Sequence, residues 1–210
     1  MENGKAVELE TKMLENLSDI SQKRSRINPD LYSKYEVKRG LRDLDGKGVL
    51  VGLTDICEVH AYIIDENETI PAPGRLLYRG IDIVDIVNGF ISSDRPGYEE
   101  TCYLLLFGEL PDKSNLANFT KLLSIYRKLP EDFVRDMILK SPSKDMMNVL
   151  SRGVLCLYSM DDRPDDTSVS NVLKQCLKLI SCFPLLAVYG YQAYSHYHEN
   201  KSLYIHSPRP

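Results

Sequence analysis

The sequence predicts a mainly α-helical protein with a small antiparallel β element near its N-terminus. From Ile81 to Tyr197 the apolar residues recur at the three- and four-residue spacings of helices. Ahead of this region, glycines and prolines separate short apolar runs that are typical of strands and turns. We therefore expect three parts: an N-terminal helical segment at 1–38, the β element at 39–80 and a helical part at 81–210.

The longest predicted helix runs from Ser168 to Tyr197. At 1.5 Å per residue it would measure roughly 45 Å, and Ser168 can cap its N-terminus. Its apolar residues lie around most of the circumference, so we expect it to be buried on all sides. A chain of 210 residues has few other helices to cover it. We therefore expect another subunit, or sequence beyond this chain, to complete the burial.

The pattern disfavours a membrane-spanning role for this helix. Lys174, Gln175 and Lys178 interrupt the apolar run, and Pro184 removes one backbone hydrogen bond. The apolar window is also shorter than the roughly 20 residues that a span needs. We interpret the segment as a kinked core helix and expect no membrane partner.

The other elements are predicted from apolar periodicity and from breakers at their ends. Gly108 followed by Pro111, for example, marks a helix end. The predicted helices are Val7–Lys23, a turn at Asp30–Glu36, a short helix formed by Ile83, Val84, Ile86, Val87 and Phe90 and ending near Gly89, Tyr98–Phe107, Asp112 or Ser114 to Arg127, Pro130–Leu139 and Lys144–Met160. The predicted strands are Val49–Leu53, Ile56–Ile64 and Gly74–Tyr78, with a loop over Asp65–Gly74.

The last two long helices, at about 144–160 and 168–197, form a predicted helical hairpin. Ser151 and Gly153 on the first of them are small residues. Small side chains let a second helix approach closely, so we expect tight packing at this point of the hairpin.

Composition indicates a soluble globular protein, with 43% hydrophobic and 27% charged residues. The formal net charge is −4, and the lysines and arginines are scattered along the chain. This pattern argues against a nucleic-acid partner. Residues 1–13 carry no apolar signal segment, so we expect a cytoplasmic location.

The five cysteines are odd in number, and none has CxxC spacing. Each stands among apolar neighbours, which favours reduced thiols in the core of a cytoplasmic protein. They are Cys57, Cys102, Cys156, Cys176 and Cys182.

The four histidines do not form a metal-binding pattern. His196 and His198 are two residues apart, which places them on different faces of a helix. His60 is predicted as an edge or core histidine of a strand, and His206 lies near the chain end. We therefore predict no metal site.

Four blocks form a distinctive series along the chain. They are Arg39-Gly-Leu-Arg-Asp43, Gly52-Leu-Thr-Asp-Ile56, Leu77-Tyr-Arg-Gly-Ile-Asp-Ile83 and Glu99-Glu-Thr-Cys-Tyr-Leu-Leu-Leu-Phe-Gly-Glu-Leu-Pro111. In content, order and spacing this series resembles the N-terminal half of the citrate synthase family. The resemblance extends more loosely to Ser202–Pro208 and covers nearly the whole chain after the first thirty or so residues.

The resemblance implies a citrate-synthase-like helical fold and a homodimeric enzyme that condenses acetyl-CoA with oxaloacetate to give citrate and CoA. In that chemistry a carboxylate removes a proton from the acetyl methyl, one histidine stabilises the enol and a second polarises the ketone. The family carries these histidines in a His-Ala-Asp-His or His-Ala-Glu-His block and a Gly-x-x-His-Gly-Gly block of its C-terminal half. Neither block occurs in the 210 residues, so we assign no catalytic residue.

Arg42 is the binding residue that the resemblance transfers, because it corresponds to an arginine that contacts a CoA phosphate in the family. The alternative is a solvated charge beside Asp43 and Asp45. For Arg79 we favour a structural role at the strand-to-helix turn. Asp82 is predicted to cap the next helix or to lie in its first turn.

Our hypothesis is that the chain is the N-terminal portion of a citrate synthase and is inactive alone because the C-terminal catalytic half is absent. We expect a homodimer through helices 145–160 and 168–197, with acetyl-CoA as substrate and no permanently bound cofactor. The alternative is a non-catalytic helical oligomerisation or regulatory module derived from the same fold. The choice between citrate and 2-methylcitrate stays open, because the residues that select the acyl chain belong to the other half.

Overall fold

The computed structural model describes residues 2–24, 26–35, 37, 49–50, 52–65 and 68–206. They are mainly helical, with one small antiparallel sheet, as predicted. The α-helices are α1 (Glu2–Arg24), α2 (Asp30–Lys34), α3 (Ile83–Ser92), α4 (Tyr98–Phe107), α5 (Lys113–Tyr126), α6 (Met146–Ser159) and α7 (Val169–Glu199). A π-helix covers Val134–Leu139, and the strands are β1 (Cys57–Asp65), β2 (Glu68–Tyr78) and β3 (Ile81–Asp82).

The chain forms two compact units. One is Asp19–Ala117, which contains the sheet, and the other combines Met1–Ser18 with Asn118–Pro210, which contains the helical hairpin of α6 and α7. The predicted division after residues 38 and 80 stays a prediction.

The sheet has the order β1-β2-β3, with antiparallel neighbours. The predicted strand Ile56–Ile64 is confirmed as β1, but the predicted loop over Asp65–Gly74 is wrong, because β2 begins at Glu68. Pro71 and Pro73 suggested a loop. A strand tolerates prolines where one of its sides has no paired neighbour, and the two-residue β3 pairs only with the far end of β2.

An irregularity in β2 accommodates this sequence. His60 pairs with Arg75 and Tyr62 pairs with Pro71, so three residues of β2 lie opposite the single residue Ala61 of β1. Such a bulge bends the strand and leaves its extra residues unpaired.

The predicted strand at Val49–Leu53 is wrong for the residues that the structure describes there, since 49–50 and 52–54 have no regular structure. The Thr54 hydroxyl accepts a hydrogen bond from the Ile56 N–H at 3.2 Å. This local turn redirects the backbone just ahead of β1.

Helix α3 extends beyond the predicted end near Gly89 and finishes at Ser92. A glycine inside a helix costs only about 1 kcal/mol and does not have to end it. The ring of Phe90 packs directly against Gly97 in the turn between α3 and α4, since a Cβ at Gly97 would overlap that ring. Helix α4 ends as predicted, with Gly108 in the left-handed conformation at φ 76°.

The predicted helix Pro130–Leu139 is a π-helix over Val134–Leu139, preceded by Asp132 at φ 60°. Phe133 and Ile138 are both buried in the same core cluster. They are five residues apart, a spacing that suits the wider turn of a π-helix better than the turn of an α-helix.

The α6–α7 hairpin is packed through two glycines. A Cβ at Gly153 would lie 3.1 Å from Leu186 Cδ1, and a Cβ at Gly190 would lie 2.8 Å from Val149 Cγ1. The predicted close approach at Gly153 is thus confirmed. The surrounding core cluster comprises Phe133, Ile138, Leu157, Cys182, Leu185, Leu186, Tyr189 and Ala193.

Helix α7 is buried on one side and exposed on the other within the described residues. Leu177 and Cys182 are fully buried, whereas Val188 and Tyr191 are 54% and 50% exposed. Burial on all sides, completed by another subunit or by sequence beyond this chain, stays a prediction. The packed face needs only one layer of neighbours, which α6 and the π-helix supply.

Among the described residues, α7 is the one helix whose length and apolar composition would suffice to cross a membrane. A core helix of a soluble protein passes the same test. The packing of its buried face against α6 fits the predicted core role.

Candidate functional site

The predicted CoA-binding residue, Arg42, lies outside the described residues. Its assignment, and the competing one of a solvated charge beside Asp43 and Asp45, stay predictions. The compact unit Asp19–Ala117 also contains two described arginines that lie close together, Arg24 and Arg79. Arg79 belongs to the Tyr-Arg-Gly sequence at the end of β2.

Arg79 and Gly80 connect β2 to β3 as a two-residue hairpin turn. Both have positive φ, 48° and 81°, and the flanking residues Tyr78 and Ile81 are paired. Two consecutive left-handed residues are what a tight hairpin turn requires, and glycine meets this at no steric cost. The backbone N–H of Arg79 donates to the carbonyl of Ile56 at 2.9 Å.

The Arg79 side chain links three elements. Its Nη1 donates to Asp55 Oδ1 at 2.8 Å, and its Nη2 and Nε donate to the carbonyl of Leu105 at 2.9 and 3.2 Å. The side chain is 8% exposed. Leu105 is in the last turn of α4, where carbonyls lack helical partners and a cation complements the helix dipole.

A polar cavity of about 150 Å³ lies beside this arginine, lined by Arg24, Asp55, Arg79 and Gly108. The guanidinium of Arg24 forms an ion pair with Glu109 at 2.7 Å. The two arginines are thus balanced by two carboxylates, and each of the three guanidinium nitrogens of Arg79 donates a hydrogen bond. The arrangement is chemically a structural clamp, in agreement with the role favoured for Arg79.

Arg24 was not singled out by sequence reasoning. It belongs to α1 and meets Glu109, 85 residues further along. A charged residue in the last turn of an amphipathic helix is ordinary, so no local pattern could have indicated this contact.

Asp82 caps α3, as predicted. Its side chain accepts a hydrogen bond from the Val84 N–H at 3.0 Å and one from Arg75 Nε at 2.7 Å. The bond from Arg75, and after it the bond from Val84, holds the pKa of the Asp82 carboxyl below its usual value.

The histidines lie apart from this clamp. His60 is an exposed residue of the edge strand β1 and lies 2.6 Å from Glu58. His196 Nδ1 is 2.8 Å from the carbonyl of Lys201 just beyond the end of α7, and the carbonyl of His206 accepts from Tyr189. The described residues contain no group of three or more metal-ligating side chains that could hold a metal ion.

All five cysteines are free thiols, but they are not all in the core. Cys182 is buried, whereas Cys57 is exposed on β1. The prediction of five core thiols is therefore wrong for Cys57, because apolar neighbours on the edge strand of a small sheet do not guarantee burial.

A second cavity, of about 140 Å³, lies in the helical hairpin between α6 and α7. Val154, Leu157 and Leu179 form apolar walls, and Lys178 and Gln175 bring polar atoms. The Tyr158 hydroxyl beside it donates to Asp165 at 2.8 Å. The residues that line this cavity include no histidine, cysteine or serine, and we assign it no catalytic role.

We expect Arg79→Lys to lower the free energy of unfolding by about 1–3 kcal/mol, because one ammonium cannot serve both Asp55 and the Leu105 carbonyl. The matched control is Arg75→Lys in β2, the strand that precedes this turn. Arg75 is 58% exposed, so its change should stay within about 0.5 kcal/mol. Urea denaturation of the two variants measures the difference, and equal losses would contradict the clamp.

Comparison with known proteins places these elements in a family. The family model described as "Citrate synthase, C-terminal domain" matches residues 41–208. The chain is 34% identical to the citrate synthase of Saccharolobus solfataricus over 88 residues, which are 42% of this chain and 22% of the relative. It is 32% identical to citrate synthase 1 of Mycobacterium tuberculosis over 120 residues, or 57% of this chain and 26% of the relative.

A third relative is the citrate/2-methylcitrate synthase of Bacillus subtilis, 26% identical over 135 residues, which are 64% of this chain and 33% of the relative. The chain therefore spans about a fifth to a third of the length of these curated relatives. The family model is described as a C-terminal domain, whereas the blocks resemble the N-terminal half, so the position of the chain within a whole protein belongs to the proposal below. With well over half of its length matched by that model, the chain belongs to the citrate synthase family.

Proposed function

We propose that this chain is the N-terminal portion of a citrate synthase whose whole form condenses acetyl-CoA with oxaloacetate to give citrate and CoA. The match of residues 41–208 to the citrate synthase family carries the proposal. The curated names of the relatives agree with it, since they include citrate synthases from several organisms. The proposed location is the cytoplasm.

In this proposal the described residues supply the scaffold and not the reacting groups. The acid, base and electrophile of the condensation would come from the family's histidine blocks, which the 210 residues do not contain. Arg42 would contact a CoA phosphate, for which a guanidinium is well suited because of its charge and its paired donors. Acetyl-CoA enters as a substrate, with no permanently bound cofactor.

We expect the 210-residue chain to release no CoA from acetyl-CoA in the presence of oxaloacetate. A thiol reagent that detects free CoA measures this directly, and a curated relative assayed in parallel shows that the conditions support turnover. Turnover by the chain that scales with its concentration and requires oxaloacetate would overturn the proposal.

In the proposal the acyl substrate is acetyl-CoA and the product is citrate. One relative, however, is named for both citrate and 2-methylcitrate, and another for 2-methylcitrate alone. A whole protein carrying this sequence would be assayed with acetyl-CoA and with propionyl-CoA. A higher kcat/KM for propionyl-CoA would move the proposal to 2-methylcitrate.

The proposed partner is a second copy, bound through helices 145–160 and 168–197. The support is a set of large apolar side chains on α6 and α7 that the single chain leaves exposed: Met147, Leu155, Val188 and Tyr191 are 69%, 66%, 54% and 50% exposed. Fully burying a side chain of this size stabilises by about 1.5–3 kcal/mol. Association through this face would complete the burial of α7.

The alternative is a non-catalytic oligomerisation or regulatory module built from the same fold. The same exposed apolar side chains of α6 and α7 favour it. It predicts a stable complex between this chain and a full-length enzyme of the family, detectable by co-purification from a mixture. If the chain is inactive and forms no such complex, the first proposal, that it is the N-terminal portion of a citrate synthase, is the better explanation.

A further inference from the structure

Strand β1 has an outer edge that no described residue pairs. The sheet order is β1-β2-β3, so β1 has β2 on one side only. Its nine residues contain no proline and no lysine, two residues with which proteins commonly blunt such edges, and its acidic residues, Glu58 and Asp65, stand near its two ends. The bulge opposite Ala61 lies in β2 and adds no residue to β1. The edge therefore presents a continuous row of backbone groups to another strand.

The side chains along this edge are apolar and exposed on one face. Val59 is 71% exposed and Ile63 is 60% exposed. Ala61, also exposed, lies between them, and alternate residues of a strand point to the same side of the sheet. Ile63 pairs with Ile70 of β2, which is 46% exposed. An exposed apolar edge of this length is typical of a strand that pairs with another chain.

We propose that β1 pairs with β1 of a second copy of this chain in antiparallel register, with a two-fold axis at Ala61. In that register Val59 of each chain lies opposite Ile63 of the other, and His60 lies opposite Tyr62. Both are favourable cross-strand pairs, of two β-branched residues and of two aromatic rings. The same edge serves both chains, as a two-fold interface requires.

Charge also favours this register. In this register Glu58 of one chain pairs with residue 64 of the other, which is an isoleucine. Residue 65, an aspartate, pairs with residue 57, a cysteine. No acid therefore meets an acid across the axis. Moving the axis by one residue, to His60 or Tyr62, would instead pair Val59 or Ile63 with Ala61 and lose the contact between two large apolar side chains.

Cysteine cross-linking tests the register. In a Cys57→Ser background, Ala61→Cys should give a disulfide-linked dimer under mild oxidation, because residues directly opposite in an antiparallel pair have Cα atoms about 4.5–5.5 Å apart. The matched control is Val59→Cys in the same background. Its two copies would lie four residue spacings apart, roughly 14 Å, beyond disulfide reach. Intact mass under non-reducing conditions reports both.

Charge substitution tests the same pairs without a covalent link. Val59→Lys and Ile63→Glu should each weaken β1-dependent association about tenfold, as measured by sedimentation at several concentrations. The double variant should recover it, because each lysine then faces a glutamate of the second copy. Circular dichroism of the single variants checks that they remain folded.

Three results would overturn the pairing. The first is equal cross-linking of Ala61→Cys and Val59→Cys, and the second is no cross-linking of either. The third is a monomer whose β1 amides are protected from hydrogen exchange, which would mean that the chain covers this edge itself. In the second case, a dimer that persists in Val59→Lys would be attributed to the interface between the helices.

Discussion

Replacing Leu186 by alanine is expected to lower the free energy of unfolding by about 2–5 kcal/mol. Leu186 is 1% exposed and lies in the core cluster of the helical hairpin. The residue opposite is Gly153, whose Cβ position would be 3.1 Å from a Leu186 methyl. A glycine has no side chain that could move into the space, so the cavity left by the substitution would stay open and the loss should be large.

The matched control is Leu155→Ala on α6. It deletes the same atoms from a side chain that is 66% exposed, so the folding of the chain should change by less than about 0.5 kcal/mol. Urea denaturation followed by circular dichroism, at two protein concentrations, separates loss of folding from loss of association. Similar losses in the two variants would mean that Leu186 does not occupy the core.

Replacing Gly190 by valine is expected to destabilise the chain by about 1–3 kcal/mol. A Cβ at this position would lie 2.8 Å from Val149 Cγ1 and 3.2 Å from the Met146 Cε. The first distance is shorter than side chains tolerate, and the two γ-methyls of valine add to the crowding. Helices α6 and α7 would have to separate, which would open the core cluster around Leu186.

The control is Gly89→Ala in α3. It is also a helical glycine, but no atom lies within 4 Å of its Cβ position. Alanine should therefore stabilise by about 0.5–1 kcal/mol, because it restricts the unfolded chain without a clash. Thermal unfolding should give opposite signs for the two variants, and adding Val149→Ala to Gly190→Val should restore part of the loss. A Gly190→Val variant as stable as the parent would refute the close approach.

Sequence reasoning succeeded where a structure depends on neighbouring residues. The end of α4 followed from Gly108, because a left-handed residue there needs no side chain. The cap of α3 followed from Asp82, and the tight point of the hairpin from Gly153. The family followed from ordered blocks that no single element explains.

It failed where the outcome depends on residues far apart in the chain. Pro71 indicated a loop, but it lies in a strand because, among the described residues, that part of β2 has a paired neighbour on one side only. Cys57 looked like a core thiol but lies on the edge strand of the sheet, where the described residues leave it exposed. The site was only partly predictable for the same reason, since Arg79 acts through Asp55 and Leu105, and Arg24 reaches Glu109 from another helix.

The sequence by itself determined the helical class, most helix boundaries and the family, because periodicity, breakers and motif order are properties of consecutive residues. Only the tertiary structure decided which face of α7 the chain covers and what the Arg79 side chain binds. These depend on which elements meet in space, and the free energy of such contacts comes from burial and hydrogen bonding between residues that the sequence keeps far apart.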